Sequence, residues 1–232
     1  MDLQEGELIA NAIQMNTSPC RYCGYNGAGY YQPRTHKFHC KWYHIGGMVE
    51  RMEITKVQLT MQQTELIVSG EQAIIQGIVH IDPHMPVISI VSPCTSHPKI
   101  MINRPRTLRL QFHDISPYGI EEKHLEPYRD GLMQTYHAEL ILDFIEAITT
   151  ECRAQAISFP KKVYIHCEAG VSRSPAVAMA LSMIYGFRPT VNELFHTHTA
   201  YNEYVLCTVL NTWRNRSATN AIKNMREEDT IF

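Results

Sequence analysis

The stretch VYIHCEAGVSRSPAVAMALSMIYG, residues 163–186, constrains this chain more than any other. A short β-branched run ends at Cys167, small residues follow, and an Ala-rich segment opens near Pro175. The run at 163–165 reads as a buried strand and 175–184 as a buried helix, which puts the cysteine in the loop between them. A strand that feeds a helix through a tight loop belongs to folds with a parallel sheet.

The rest of the chain agrees with that reading. Segments 64–69 (TELIVS), 86–92 (PVISIVS) and 107–112 (TLRLQF) predict strands, and 71–78 predicts a short helix. Over 133–150, Ala138, Ile141, Leu142, Ile145 and Ile148 recur at helical spacing and mark one buried face. Further helices are expected near 191–195 and 201–213, and a polar loop over 113–131. The fold class is therefore α/β, with a central, largely parallel sheet flanked by helices. Its domain is expected over 51–214, after an N-terminal segment (1–16) and a Cys/His-rich module (17–47), and before a polar tail (215–232).

The loop HCEAGVSRS has a definite chemistry. A loop entering a helix turns its backbone N–H groups inward, and the helix N-terminus adds partial positive charge. Such a nest takes a tetrahedral oxyanion. Gly170 allows a backbone that a bulkier residue resists. Arg173 adds a planar fork for two oxygens. Amides, dipole and guanidinium together favour a thiolate at Cys167, and a thiolate facing a bound phosphate is a nucleophile aimed at phosphorus. A merely buried cysteine would need neither the glycine nor the arginine at these spacings.

His166, Cys167, Gly170, Arg173 and Ser174 fill every fixed position of H-C-x-x-G-x-x-R-[S/T]. The segment thus resembles the phosphate-binding loop of cysteine-based protein tyrosine phosphatases, in the dual-specificity branch. The resemblance is strong over 163–186, moderate over 86–114, and weaker from Glu65 to Trp213 as a whole. It implies that Cys167 attacks phosphorus and forms a phosphocysteine, and that Arg173 binds the phosphoryl oxygens. Ser174 would stabilise the thiolate when it leaves, and His166 would orient the loop. The amides of Glu168, Ala169, Gly170, Val171, Ser172 and Arg173 would line the cradle. The chemistry it implies uses no metal or other cofactor. An Asn at the start of the closing helix is a further family feature, and Asn202 fits that place.

The family also uses an aspartate as general acid. Three candidates precede Cys167. Asp143 falls on the polar side of its helix, and Asp130 sits in a turn-like RDG. Asp114 directly follows a predicted strand, at the sheet edge where ligands bind in such folds. It is the choice here, and FHDI resembles the strand-plus-Asp-Ile segment of a bacterial subset of the family. The interval of 53 residues to Cys167 is longer than in the eukaryotic enzymes, which the loop at 115–131 accommodates.

Residues 17–47 are poor in aliphatic side chains, so they need something other than a hydrophobic core. Cys20-x2-Cys23-x12-His36-x3-Cys40 has spacing suited to a structural zinc site, with His39 or His44 as alternatives to His36. The resulting small zinc-binding N-terminal module could serve a docking partner. Seven cysteines, two of them in C-x-x-C, suit a reducing, cytoplasmic setting. The formal net charge of −2 argues against nucleic acid as a partner. No apolar run reaches the roughly 20 residues of a membrane span.

The expected substrate is a phosphorylated protein or a small phosphomonoester, since the loop lacks the extra lysines of phosphoinositide-binding variants. Two alternatives stand beside it. One is a phosphate-binding pseudophosphatase or adaptor, which the intact Cys167 and Arg173 oppose. The other is a phosphatase of a nucleotide, an RNA 5′ end or a lipid.

Overall fold

The computed structural model describes residues 60–228, with side chains to residue 220. The segments expected over 1–16 and 17–47, with Cys20, Cys23, His36 and Cys40, lie outside the described residues. Four strands form one parallel sheet: β1 (Glu65–Gly70), β2 (Val87–Val91), β3 (Thr107–Gln111) and β4 (Lys162–Cys167). Their order across the sheet is β1-β4-β2-β3. The last strand in sequence therefore lies between the first two. Register places Gly70 beside Cys167 and Ser89 beside His166.

Burial follows from this placement. Every residue of β2 is buried, and β4 is buried from its second residue onward. Both strands are inside the sheet with helices over each face, so neither needs a polar side. At the edge, β3 keeps Leu110 buried but exposes Arg109 and Gln111.

One face of the sheet carries Leu66, Ile88, Ile90, Leu110, Val163 and Ile165 into the main core. Helix α4 (Thr135–Ala154) contributes Ala138, Ile141, Leu142, Ile145 and Ile148, the face expected from their spacing. Helix α5 (Arg173–Tyr185) is buried at every residue from Arg173 to Ser182. It has the sheet on one side and neighbouring helices on others, which suits its all-round apolar sequence. The opposite face is thinner. Short helices α1 (Glu71–Ile75) and α2 (Lys99–Ile102) bury Ile74 and Met101 with Val87 and Tyr164. No periodicity announces α2, because four residues are too few to show one.

Two segments differ from the sequence expectation. The polar stretch after β3 contains helix α3 (Glu122–Leu125) and a 3₁₀ turn over Glu126–Gly131. Leu125 is buried beneath α3, so one apolar anchor organises a charged loop. After α6 (Val191–Thr197) comes α7 (Glu203–Glu228), which continues through residues expected as a polar tail from 215. The polarity there marks a solvated helix. Arg216 Nη1 reaches Asp143 Oδ1 on α4 at 2.8 Å, and Thr219 Oγ1 donates to the Asn215 carbonyl at 2.9 Å. Asp143 is thus committed to a helix-helix contact. Among the described residues, no helix is long and apolar enough to cross a membrane.

Candidate active site

The site is built where β4 ends and α5 begins. Strand β4 delivers Cys167 to the C-terminal edge of the sheet, and the chain folds over the end of β1 before entering the helix. Gly170 has φ +75°, and a Cβ there would lie 2.2 Å from the Gly70 nitrogen and 2.4 Å from the Ser69 carbonyl carbon. Only glycine fits so close an approach in this conformation. The Glu71 amide donates to the Glu168 carbonyl at 3.0 Å, which fixes the loop's first turn on α1.

Cys167 is 1% exposed, and its sulfur accepts two hydrogen bonds. The Gly170 amide donates at 3.2 Å and the Ser174 hydroxyl at 3.2 Å. Two donors thus converge on one sulfur at the base of the loop. Ala169 and Val171 form an exposed, small apolar rim around the loop.

Arg173 opens α5 and is 2% exposed. Its Nη1 donates to the Phe112 carbonyl at 2.8 Å and to Ser92 Oγ at 3.3 Å. Its Nη2 donates to Glu168 Oε2 at 2.8 Å. Nε is buried with no hydrogen-bond partner, and Asp114 Oδ2 stands 3.8 Å away. A buried guanidinium donor left open in this way is a ready ligand for an oxyanion.

Asp114 follows β3 and has a side chain 36% exposed. Its Oδ1 accepts from Ser172 Oγ at 2.6 Å and from Asn202 Nδ2 at 2.9 Å. Asn202 also donates its amide to the Ser172 carbonyl at 3.1 Å, and its Oδ1 accepts the Val205 amide at 3.1 Å. One asparagine therefore ties the loop, the aspartate and the first turn of α7 together. Asp130, the remaining acid candidate, is exposed in the 3₁₀ turn.

His166 is fully buried, and neither ring nitrogen has a partner in hydrogen-bond geometry. Burial pushes its pKa down to about 4; the nearby Cys167 backbone offsets this in part, and His97 adds to it. The neutral ring therefore packs beneath the loop. Burial raises the Glu168 carboxyl, but the Ser92 amide, the Arg173 guanidinium and the Ser92 hydroxyl outweigh it and hold the carboxyl below its usual range.

Cys167, Gly170, Arg173, Ser174 and Asp114 thus come together within one loop and the adjoining sheet edge. Sequence reading missed Ser92 and the Glu168 side chain. Ser92 is the first residue past the fully buried strand β2, at the edge where ligands bind in parallel sheets, and that position was an available signal. Among the described residues, no group of three or more His, Cys, Asp or Glu is placed to hold a metal.

No protein-family model matches the chain. No curated protein matches it either. Among solved structures it is similar to the crystal structure of PTPMT1, with a TM-score of 0.35 and 12% identity, over 68% of this chain and 94% of that one.

Proposed function

We propose that the chain is a phosphomonoester hydrolase that works through a phosphocysteine, most simply a protein tyrosine or dual-specificity phosphatase. The observation that carries this reading is the sulfur of Cys167, which receives the Gly170 amide and the Ser174 hydroxyl in the same loop that seats the buried Arg173. The motif HCEAGVSRS supports it independently.

In the first step the thiolate attacks phosphorus, the S–P bond forms and the ester P–O bond breaks. Asp114, in its acid form, gives the departing oxygen its proton. Arg173 and the loop amides hold the equatorial oxygens, whose charge is the main load in phosphoryl transfer. In the second step water attacks phosphorus, its proton returns to Asp114, and the S–P bond breaks to release phosphate. Ser174 Oγ then donates to the regenerated thiolate. A phosphorylated protein or a small phosphomonoester is the proposed substrate.

The proposed setting is cytoplasmic. Cys94, Cys152 and Cys167 form no disulfide among the described residues, which suits a reducing compartment. The N-terminal set Cys20, Cys23, His36 and Cys40 is proposed to hold a structural zinc and to serve a docking partner, and metal analysis of the full chain with and without Cys23→Ser tests it.

Hydrolysis of para-nitrophenyl phosphate tests the reaction. Cys167→Ser should abolish turnover. Asp114→Asn should slow an alkyl phosphate far more than the nitrophenyl ester, whose phenolate leaves without a proton. Equal rates in wild type and Cys167→Ser would overturn the mechanism.

A further inference from the structure

The five N–H donors of Arg173 are not used evenly. Ser92 Oγ accepts from Nη1 at 3.3 Å and donates to Glu168 Oε2 at 3.1 Å. The same Oε2 accepts from Nη2 at 2.8 Å. These contacts close a ring across the end of the guanidinium that carries both Nη atoms. Glu168 Oε1 takes the Ser92 amide at 3.2 Å, which locks the carboxylate to the tip of β2. The other edge, bounded by Nε and Nη2, retains the buried Nε without a hydrogen-bond partner.

From this division we infer that Glu168 is a positioning residue: with Ser92 it occupies the terminal edge of Arg173 and so presents the Nε–Nη2 edge to the phosphoryl group. This rests on the phosphatase reading of the same site. The alternative physical role for a carboxylate here is competition, in which Glu168 would hold the arginine away from phosphate. The ring argues against competition, because Glu168 meets the guanidinium together with Ser92 on the edge opposite Nε, which makes no hydrogen bond and faces Asp114 Oδ2 at 3.8 Å. Glu168 also belongs to the loop that supplies the amide cradle. Its carbonyl is fixed by Glu71 and its carboxylate by Ser92, so one residue sets the guanidinium against the cradle from both sides.

The test uses the full chain with Glu168→Ala, Glu168→Gln and Ser92→Ala. It measures competitive inhibition by orthovanadate and by inorganic phosphate, kcat and KM on para-nitrophenyl phosphate, and alkylation of Cys167 by iodoacetate. For Glu168→Ala the inhibition constants should rise about tenfold or more, the scale of one charge-assisted hydrogen bond. Cys167 should still react with iodoacetate, but phosphate should no longer protect it. Glu168→Gln keeps an oxygen for Arg173 and should stay within about threefold of wild type. Ser92→Ala should fall between the two. Oxyanion binding as tight as or tighter than wild type in Glu168→Ala makes Glu168 a competitor and overturns the inference. If Glu168→Ala does not fold, tighter binding by Glu168→Gln, or no change in Ser92→Ala, does the same. A wild type that neither hydrolyses the ester nor binds either oxyanion overturns the phosphatase reading itself, and the inference with it.

Discussion

His166 gives the sharpest stability prediction, because its ring is fully buried and unpartnered. The folded protein holds its pKa at about 4, against the ordinary 6.5. As pH falls, the unfolded chain takes up this proton first. The contribution is complete above pH 6.5 and is lost as pH falls toward 4. With 1.36 kcal/mol per pH unit, the loss is about 1.4 kcal/mol at pH 5.5 and about 2.6 kcal/mol at pH 4.5. The perturbation is His166→Leu, which fills similar space and cannot titrate. Urea unfolding of both proteins at pH 7.5, 5.5 and 4.5 is the assay, each referred to its own value at pH 7.5. Other histidines lowered by burial, such as His137 and His198, remain in both proteins and cancel. Wild type should lose more stability than the variant by the amounts above. Parallel declines would refute the argument and mean that the ring is already solvated in the folded state.

Three further outcomes are expected. Gly170→Ala places a methyl 2.2 Å from the Gly70 nitrogen at φ +75°, so it should cost about 2 kcal/mol or more and eliminate phosphate binding, read by thermal shift with and without phosphate. Asn202→Ala removes the amide that steadies Asp114 and an acceptor in the first turn of α7, so kcat on an alkyl phosphate should fall several-fold more than on para-nitrophenyl phosphate, with a stability loss of about 1 kcal/mol. Arg216→Ala breaks the link from α7 to Asp143 on α4 but should cost only about 0.5 kcal/mol, and that difference should shrink in 1 M salt.

Much of this architecture was legible in the chain because it rests on local pattern. The strands, the Ala-rich helix and the apolar face of α4 follow from periodicity, and their ends fall within a few residues of the expected ones. The Cys167 loop was legible because its geometry depends on residue types at fixed spacing. The strand order was hidden, since pairing across the sheet depends on contacts distant in sequence. Ser92 meets Glu168 and Arg173 across more than 75 residues, so its place past β2 marks the sheet edge but not these partners. The continuation of α7 past residue 215 was hidden for another reason: polar residues read as solvated whether or not they are helical.

The position of β4 also bears on the order in which the protein is made. A ribosome delivers β1, β2 and β3 before the strand that separates β1 from β2. Until Cys167 and α5 have left the exit tunnel, β1 lacks its neighbour in the sheet and Arg173 is absent from beside Phe112 and Ser92. The nascent chain can therefore collapse around β2 and β3 but cannot carry a partial site. Chains interrupted before residue 173 should be prone to edge pairing, and the proposed reactivity toward phosphate esters should arise only once β4 and α5 are in place.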